Sequence, residues 1–240
     1  MPAIAISGAG SGIGHTFLDH YSKDSNNIIY AIDVAWSDEV SDSKAAAKVT
    51  RYTTDSSSLP SVKKLAEALK GHPIDLFIHS AAVRGMVKEL TEKSDDPADA
   101  ETLDVMTAEV MQQTLLVNTM GSFLMIRALL PNLKAAKNPK CVIMGSRMGS
   151  IGANNNGGAY AYGPSKAGLN YIAKSLSIDV PEVIFTIIHP GKVDSRMTHV
   201  REDGAVDPED AVAEMLPLID GLSEKDSGKF YVREGEEIPW

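Results

Sequence analysis

An α/β architecture, a doubly wound parallel sheet of about seven strands flanked by helices, is what this 240-residue chain predicts. Three observations lead there. Short apolar runs alternate with longer helix-patterned stretches from end to end. A glycine-rich turn, Gly8-Ala9-Gly10-Ser11-Gly12-Ile13-Gly14, follows the first run directly and opens what should be the first helix. Finally, 240 residues that are 43% hydrophobic and 23% charged can bury one sizeable core, so a single domain spanning 1–240 is expected.

Taken in order, strands are expected at 3–7, 28–33, 48–53, 75–79, 140–145 and 185–189, with 228–232 as a seventh. Continuous apolar runs of this kind suit a parallel sheet covered on both faces. Helical periodicity occupies 61–70, 108–137, 164–179 and 208–222, with Ser58 or Ser61 placed to cap one helix and Pro208 in the first turn of another. The strand and helix patterns alternate as βαβ units, so right-handed crossovers follow, with ligands at the C-terminal ends of the strands. The acidic stretch 84–104 reads as a surface excursion without chemistry.

Charge and cysteine content narrow the function classes. A formal net charge of −9 without a Lys/Arg run argues against nucleic-acid binding, which needs clustered cations for phosphate. The single cysteine, Cys141, excludes an internal disulfide or a cysteine zinc cluster, and its apolar neighbours Val142, Ile143 and Met144 make it a buried structural thiol. No metal site is expected. With no basic leader ahead of an apolar stretch, and no run approaching the roughly 20 apolar residues that span a bilayer, a cytoplasmic, membrane-free protein is expected.

The glycine turn has the context that a dinucleotide site requires. Gly8 supplies the turn's backbone angles, Gly12 lets a pyrophosphate approach, Gly14 lets helix and strand pack closely, and the helix N-terminus offers N–H groups to phosphate. Asp33 ends the second strand 19 positions after Gly14, where it would accept from the adenosine ribose hydroxyls. A carboxylate repels a 2′-phosphate, and the run Asp33-Val34-Ala35-Trp36, like Ser11 in the turn, supplies no cation in its place, so NAD is expected in preference to NADP. Asp55 after the third strand is placed equally well for the adenine amino group and for a turn.

Tyr162 and Lys166 stand one helical turn apart in Tyr162-Gly163-Pro164-Ser165-Lys166, with Ser146 upstream. A phenol titrates near 10 and is a poor acid or base at neutrality unless a neighbouring ammonium favours the phenolate. Alone, such spacing is ordinary for exposed helix neighbours; the glycine turn gives it meaning.

Together these motifs resemble the short-chain dehydrogenase/reductase family over nearly the whole chain, a single-domain Rossmann fold. Ser7-Gly8-x-x-x-Gly12-Ile13-Gly14 is similar to its Thr-Gly-x-x-x-Gly-x-Gly; Asn118 in Leu116-Val117-Asn118-Thr119-Met120-Gly121 matches its helix asparagine; and Ser146, Tyr162 and Lys166 complete its tetrad. Pro190-Gly191-Lys192-Val193-Asp194-Ser195 matches Pro-Gly-x-Val-x-Thr, placing Pro190, Gly191, Val193 and Ser195 at the cofactor. One departure stands out: His79-Ser80-Ala81-Ala82 replaces Asn-Asn-Ala-Gly, keeping small residues beside a ribose at Ala81 and Ala82 but losing the asparagines that tie this loop to the sheet. His79 is expected to be a strand-end residue with a satisfied ring. Ser146-Arg147-Met148-Gly149-Ser150-Ile151 and the ending through Ile238-Pro239-Trp240 look like the C-factor and sniffer-like carbonyl reductase branch.

The resemblance implies NADH-dependent interconversion of a ketone or aldehyde with a secondary alcohol by pro-S hydride transfer. In it Tyr162 is the general acid/base, Ser146 orients the substrate oxygen, Lys166 lowers the phenol pKa and holds the ribose, and Asn118 anchors a proton-refilling water chain. It also implies a homodimer or homotetramer. Met148, Ile151, Met197 and residues near Val83 would wall a pocket for a hydrophobic substrate, while Arg84, Arg147, Arg196 and His199 leave an anionic one open. The rival readings are a halohydrin-dehalogenase-like lyase, whose basic partner is Arg where this chain has Lys166, a non-catalytic nucleotide-sensing protein, and an epimerase of the extended family, which needs a longer C-terminal region.

Overall fold

The computed structural model describes residues 1–36, 45–94, 96–198 and 200–240. Its elements are β1 (Ala3–Ser7), α1 (Gly12–Ser22), β2 (Ile28–Asp33), β3 (Lys48–Thr53), α2 (Leu59–Ala68), β4 (Leu76–His79) and a short α3 (Lys88–Thr91). Then come α4 (Ala108–Leu115), α5 (Ser122–Lys134), β5 (Lys140–Met144), α6 (Tyr162–Asp179), β6 (Ile184–His189), α7 (Pro208–Gly221) and β7 (Lys229–Val232).

All seven strands lie parallel in the order β3-β2-β1-β4-β5-β6-β7. The strand direction of winding reverses between β1 and β4, whose register pairs Ser7 with His79. There the loops leaving the sheet diverge to opposite faces and open a crevice.

Strand alternation builds two apolar layers. Ala3 and Ala5 of β1, with Phe77, Cys141 and Phe185, face α2, α5 and α6 through Leu65, Ile126, Leu129 and Leu169. Ile4 and Ile6, with Ile29, Ile78 and Val142, face α1 and α7 through Phe17, Leu18, Val212 and Met215. Cys141 is fully buried, and desolvation pushes its thiol far above its ordinary range, consistent with a structural role.

The long helix expected at 108–137 is interrupted. Between α4 and α5, Leu116–Gly121 forms a π turn, an irregularity that leaves the apolar periodicity of the flanking helices in place. Ala108–Lys134 runs 27 residues and is long and apolar enough to cross a bilayer by length and composition, contrary to the sequence expectation. Met125, Ile126, Leu129 and Leu133 in its second half are buried against the sheet, while Leu115 and Met120 in its first half stay exposed. Ser58, not Ser61, caps α2: its Oγ accepts from the Ser61 N–H at 3.4 Å.

Candidate active site

The glycine turn is shaped by close approach. Gly8 has φ +73°, and a Cβ there would stand 2.8 Å from the Ala81 amide nitrogen on the loop after β4. A Cβ on Gly14 would run into the Gly8 carbonyl, so α1 can start this tightly on β1 only with glycine at both places. Gly10, which the sequence reading left unassigned, donates its N–H to Asp33 Oδ2 at 2.8 Å, while Ala35 N–H reaches Oδ1 at 3.3 Å. Asp33 is therefore held by backbone amides at the end of β2, its other lone pairs facing the crevice.

A continuous cleft of about 1580 Å³ runs along the C-terminal edge of the sheet. It gathers Gly8, Ser11, Gly12, Ile13, Asp33, Val34, Asp55, Ser80, Ala81, Ala82, Ser146, Tyr162, Lys166, Pro190, Gly191, Val193 and Ser195. Of the expected site residues, Gly14 and Asn118 do not line it; both are buried in support. Asp55 engages its own turn, Oδ1 accepting from Ser57 N–H at 2.9 Å and Ser57 Oγ at 2.6 Å. His199 lies outside the described residues, and Arg84, Arg147 and Arg196 line the cleft.

Four elements converge on the chemistry. Ser146 leaves β5 in extended backbone and caps a single 3₁₀ turn, Arg147–Gly149, accepting from Met148 N–H at 3.2 Å. Tyr162 is the first residue of α6, two positions earlier than the expected helix start, and Lys166 follows one turn later with Nζ 5.6 Å from the phenol ring centre. Lys166 Nζ donates to the Met144 carbonyl at 2.9 Å and is 2% exposed. Burial lowers its pKa to about 8.

Tyr162 departs from expectation. Burial pushes its phenol up to about 12, against opposing help from Arg84 and from the hydrogen bond with Ser146. A second cation stands over the phenol beside Lys166: the Arg84 guanidinium carbon is 5.1 Å from the ring centre and favours the phenolate. Arg84 is itself held by Glu101 through two hydrogen bonds of 2.6 and 2.9 Å. The stretch 84–104 thus contributes a buried ion pair at the site, correcting its reading as a surface excursion without chemistry. A basic residue beside a glycine after the fourth strand was the only signal for Arg84; Glu101, one acid among many, carried none.

Asn118 sits in the π turn with its amide fully engaged. Its Oδ1 accepts from Val83 N–H at 2.8 Å, and Nδ2 donates to Val83 O at 2.8 Å and to Ser165 Oγ at 3.0 Å. Ser165 Oγ in turn donates to Tyr162 O at 2.7 Å. His79 supplies the tie to the sheet that the missing asparagines left in doubt. Its Nδ1 lies 2.7 Å from Ser7 Oγ and its Nε2 2.7 Å from Ser122 Oγ, whose hydroxyl donates to Asn118 O at 2.6 Å. Because the Ser122 proton is committed to that carbonyl, Nε2–H must donate to Ser122 and Nδ1 must accept from Ser7, which fixes the neutral tautomer. Complete burial agrees, lowering the His79 pKa to about 3.

A model of the family described as short chain dehydrogenase matches residues 2–205. The C-signal protein of Myxococcus xanthus is 36% identical over 170 residues, 70% of this chain and 93% of that protein. The 1-hydroxy-2-glutathionyl-2-methyl-3-butene dehydrogenase of Rhodococcus sp. (strain AD45) is 28% identical over 246 residues, 100% of both. Among solved structures, an NADPH-bound carbonyl reductase from chicken fatty liver is 27% identical, with a TM-score of 0.81 over 100% of this chain and 99% of its own. The carbonyl reductase Sniffer of D. melanogaster, 22% identical, shares the fold with a TM-score of 0.83 over 100% of both chains. The likeness to the C-signal protein agrees with the C-factor resemblance read from the sequence, and that to Sniffer is one of fold. A family match covering most of the chain, on the same seven-stranded parallel architecture from end to end, makes this protein a member of the short-chain dehydrogenase family.

Proposed function

We propose that the protein is an NAD(H)-dependent oxidoreductase that interconverts a ketone or aldehyde with a secondary alcohol, Tyr162 acting as the general acid/base. The observation that carries this reading is the buried phenol of Tyr162, hydrogen-bonded to Ser146 and one helical turn before Lys166, on the wall of a cleft that begins at the glycine turn. The names of the chicken carbonyl reductase and the Rhodococcus dehydrogenase agree with carbonyl and alcohol chemistry.

The residues fit a nicotinamide dinucleotide. Gly8 and Gly12 hold positive φ at the start of α1 and bring no side chain to the phosphate path. Asp33, fixed by the Gly10 and Ala35 amides, is placed to accept from a ribose diol and to repel a 2′-phosphate. When bound, the nicotinamide supplies or accepts the hydride. Ser146 Oγ holds the substrate oxygen, and Tyr162 Oη gives that oxygen its proton in reduction or takes it back in oxidation. Lys166, anchored through Met144 O, keeps an ammonium beside the phenol. Asn118 sets the loop after β4 and the first turn of α6 through Val83 and Ser165; its share in proton refilling would run through its backbone carbonyl. Met148, Ile151, Met197 and Tyr160 line the cleft's other side, which favours an apolar carbonyl compound as substrate.

Absorbance assays with NADH over a panel of ketones and with NAD over alcohols test the reading. Tyr162→Phe should keep NADH binding while turnover falls by about 10²- to 10⁴-fold, the usual contribution of a positioned proton donor. Tyr160, 37% exposed on the same wall, is the internal control. Loss of turnover in Tyr160→Phe with retention in Tyr162→Phe would overturn the assignment.

A further inference from the structure

The loop after β4 is built to aim one side chain. Val83 is clamped at both N–H and C=O by the Asn118 amide. Two residues on, Gly85 has φ +75° and lies so close to α4 that a Cβ would collide with Thr114 Oγ1. Between these fixed points Arg84 projects over Tyr162, its guanidinium carbon 5.1 Å from the ring centre, within cation–π range. Glu101 completes the clamp from the C-terminal end of the 3₁₀ turn Pro97–Ala100, both carboxylate oxygens taken by Arg84 Nε and Nη2. Side-chain exposure is 14% for Arg84 and 3% for Glu101, so the pair is largely out of water.

Such a pair is a poor device for stability alone, because desolvating both charges offsets most of their attraction. It does create a field: the order Tyr162, Arg84, Glu101 turns the positive end of the ion pair toward the phenol. A phenolate ring attracts a cation over its face far more strongly than a phenol does, and low surrounding dielectric magnifies the difference. The other groups facing Tyr162 are Lys166 on its own helix, Ser146 after β5, Glu101 itself and Glu202 ahead of α7. Both glutamates oppose the phenolate and rank below Arg84 in effect.

We propose that Arg84 is a positioning residue of the active site: clamped by Glu101 and laid on the face of Tyr162, it stabilises the Tyr162 phenolate and so sets the pH range over which Tyr162 exchanges its proton. This rests on the reading of Tyr162 as acid/base. Placing 3,5-difluorotyrosine, a more acidic phenol, at position 162 brings its ionisation into a measurable range, and fluorine NMR then follows it without any turnover. Arg84→Met should move that titration up by about one pH unit or more, the usual effect of losing a nearby opposite charge. The double variant Arg84→Met/Glu101→Leu replaces the pair with apolar groups, avoids stranding a buried carboxylate, and should also titrate above the parent, by less. Arg84→Lys, keeping the charge, should recover at least half of the Arg84→Met shift. The rising limb of alcohol oxidation against pH should move in the same sense. A double variant that titrates with the parent, or Arg84→Lys that behaves as Arg84→Met, overturns the proposal. Fluorine shifts that move as expected in a protein without turnover would instead count against the oxidoreductase reading and leave the role of Arg84 standing.

Discussion

Replacing His79 with Phe should change the sign of its effect on stability as pH falls. At neutral pH the ring accepts from Ser7 and donates to Ser122, both bonds buried, and each contributes about 1 kcal/mol net. Phe keeps the ring shape and loses both, so the variant should be less stable by about 2 kcal/mol. Acid reverses this. The folded-state pKa of His79 is lowered from 6.5 to about 3, so the unfolded chain binds a proton that the native state refuses throughout that window. Stability contributed by the neutral ring is fully present above about 6.5 and declines by about 1.4 kcal/mol per pH unit below it, a loss Phe cannot suffer. Dividing about 2 by about 1.4 places the crossing of the two stability curves near pH ~5. Urea midpoints followed by circular dichroism from about pH 4.5 to about 8 measure both curves. His189, lowered to about 4, destabilises both proteins in acid alike, so the difference between them isolates His79. Parallel curves without a crossing would refute the neutral, doubly bonded ring.

Cofactor choice should follow Asp33: kcat/KM should be higher with NAD(H) than with NADP(H), and Asp33→Ala combined with Val34→Arg should shift preference toward NADP(H), whereas a parent enzyme faster with NADPH contradicts the carboxylate argument. Assembly should bury the apolar residues that α4 through α6 leave open, Leu115, Met120, Tyr171 and Ile178, giving a homodimer or homotetramer by light scattering; a monomer at micromolar concentration would count against it. With the Tyr162 phenol pushed up to about 12, the proton donor for reduction is loaded throughout neutrality, whereas oxidation needs the phenolate. Reduction rates should therefore stay flat across neutral pH while oxidation climbs with pH, and an oxidation rate falling between about pH 7 and about 9 would contradict the assignment.

Much of the architecture was legible because it rests on local patterns. Strand patterning placed all seven strands within a residue of their positions; the inner strands are buried on both faces and have few polar alternatives, whereas β3 at the sheet's edge is half-exposed. Glycine spacing located the tight entry to α1 for steric reasons that act on any chain. The π turn was not legible, because Val117, Asn118, Thr119 and Gly121 are weak helix formers that do not by themselves mark an i+5 turn, while Asn118 and Ser122 there bond Ser165 and His79 across space. Nor was the raised phenol of Tyr162. Spacing says how far Lys166 stands from Tyr162 along a helix; it says nothing of the desolvation that lifts one pKa and lowers the other. The Arg84–Glu101 pair joins positions 17 apart through a loop whose path depends on Val83 and Gly85, a tertiary fact without a sequence period.

The polar groups behind the site form one connected path, which explains how His79 can replace the usual asparagine. It runs from Ser7 on β1 through His79 on β4 to Ser122, then by way of the Asn118 carbonyl to its side chain, and on through Ser165 to the Tyr162 carbonyl. Every link is a bond between different parts of the fold or a local bond that aims the next group. An unpaired polar atom at this depth costs about 1–3 kcal/mol, so displacement of any one member is resisted by its neighbours. The π turn is what lets Asn118 serve both sides: its amide reaches Val83 and Ser165 while its carbonyl meets Ser122. The path ends at the Tyr162 carbonyl, so the first turn of α6 is anchored in the sheet through His79, Ser122, Asn118 and Ser165, none of which lines the cleft. An asparagine would make such ties with a flexible amide; an imidazole spans the gap between strand and helix with two opposed nitrogens, provided that it stays neutral, and the crossing expected for His79→Phe measures that condition directly.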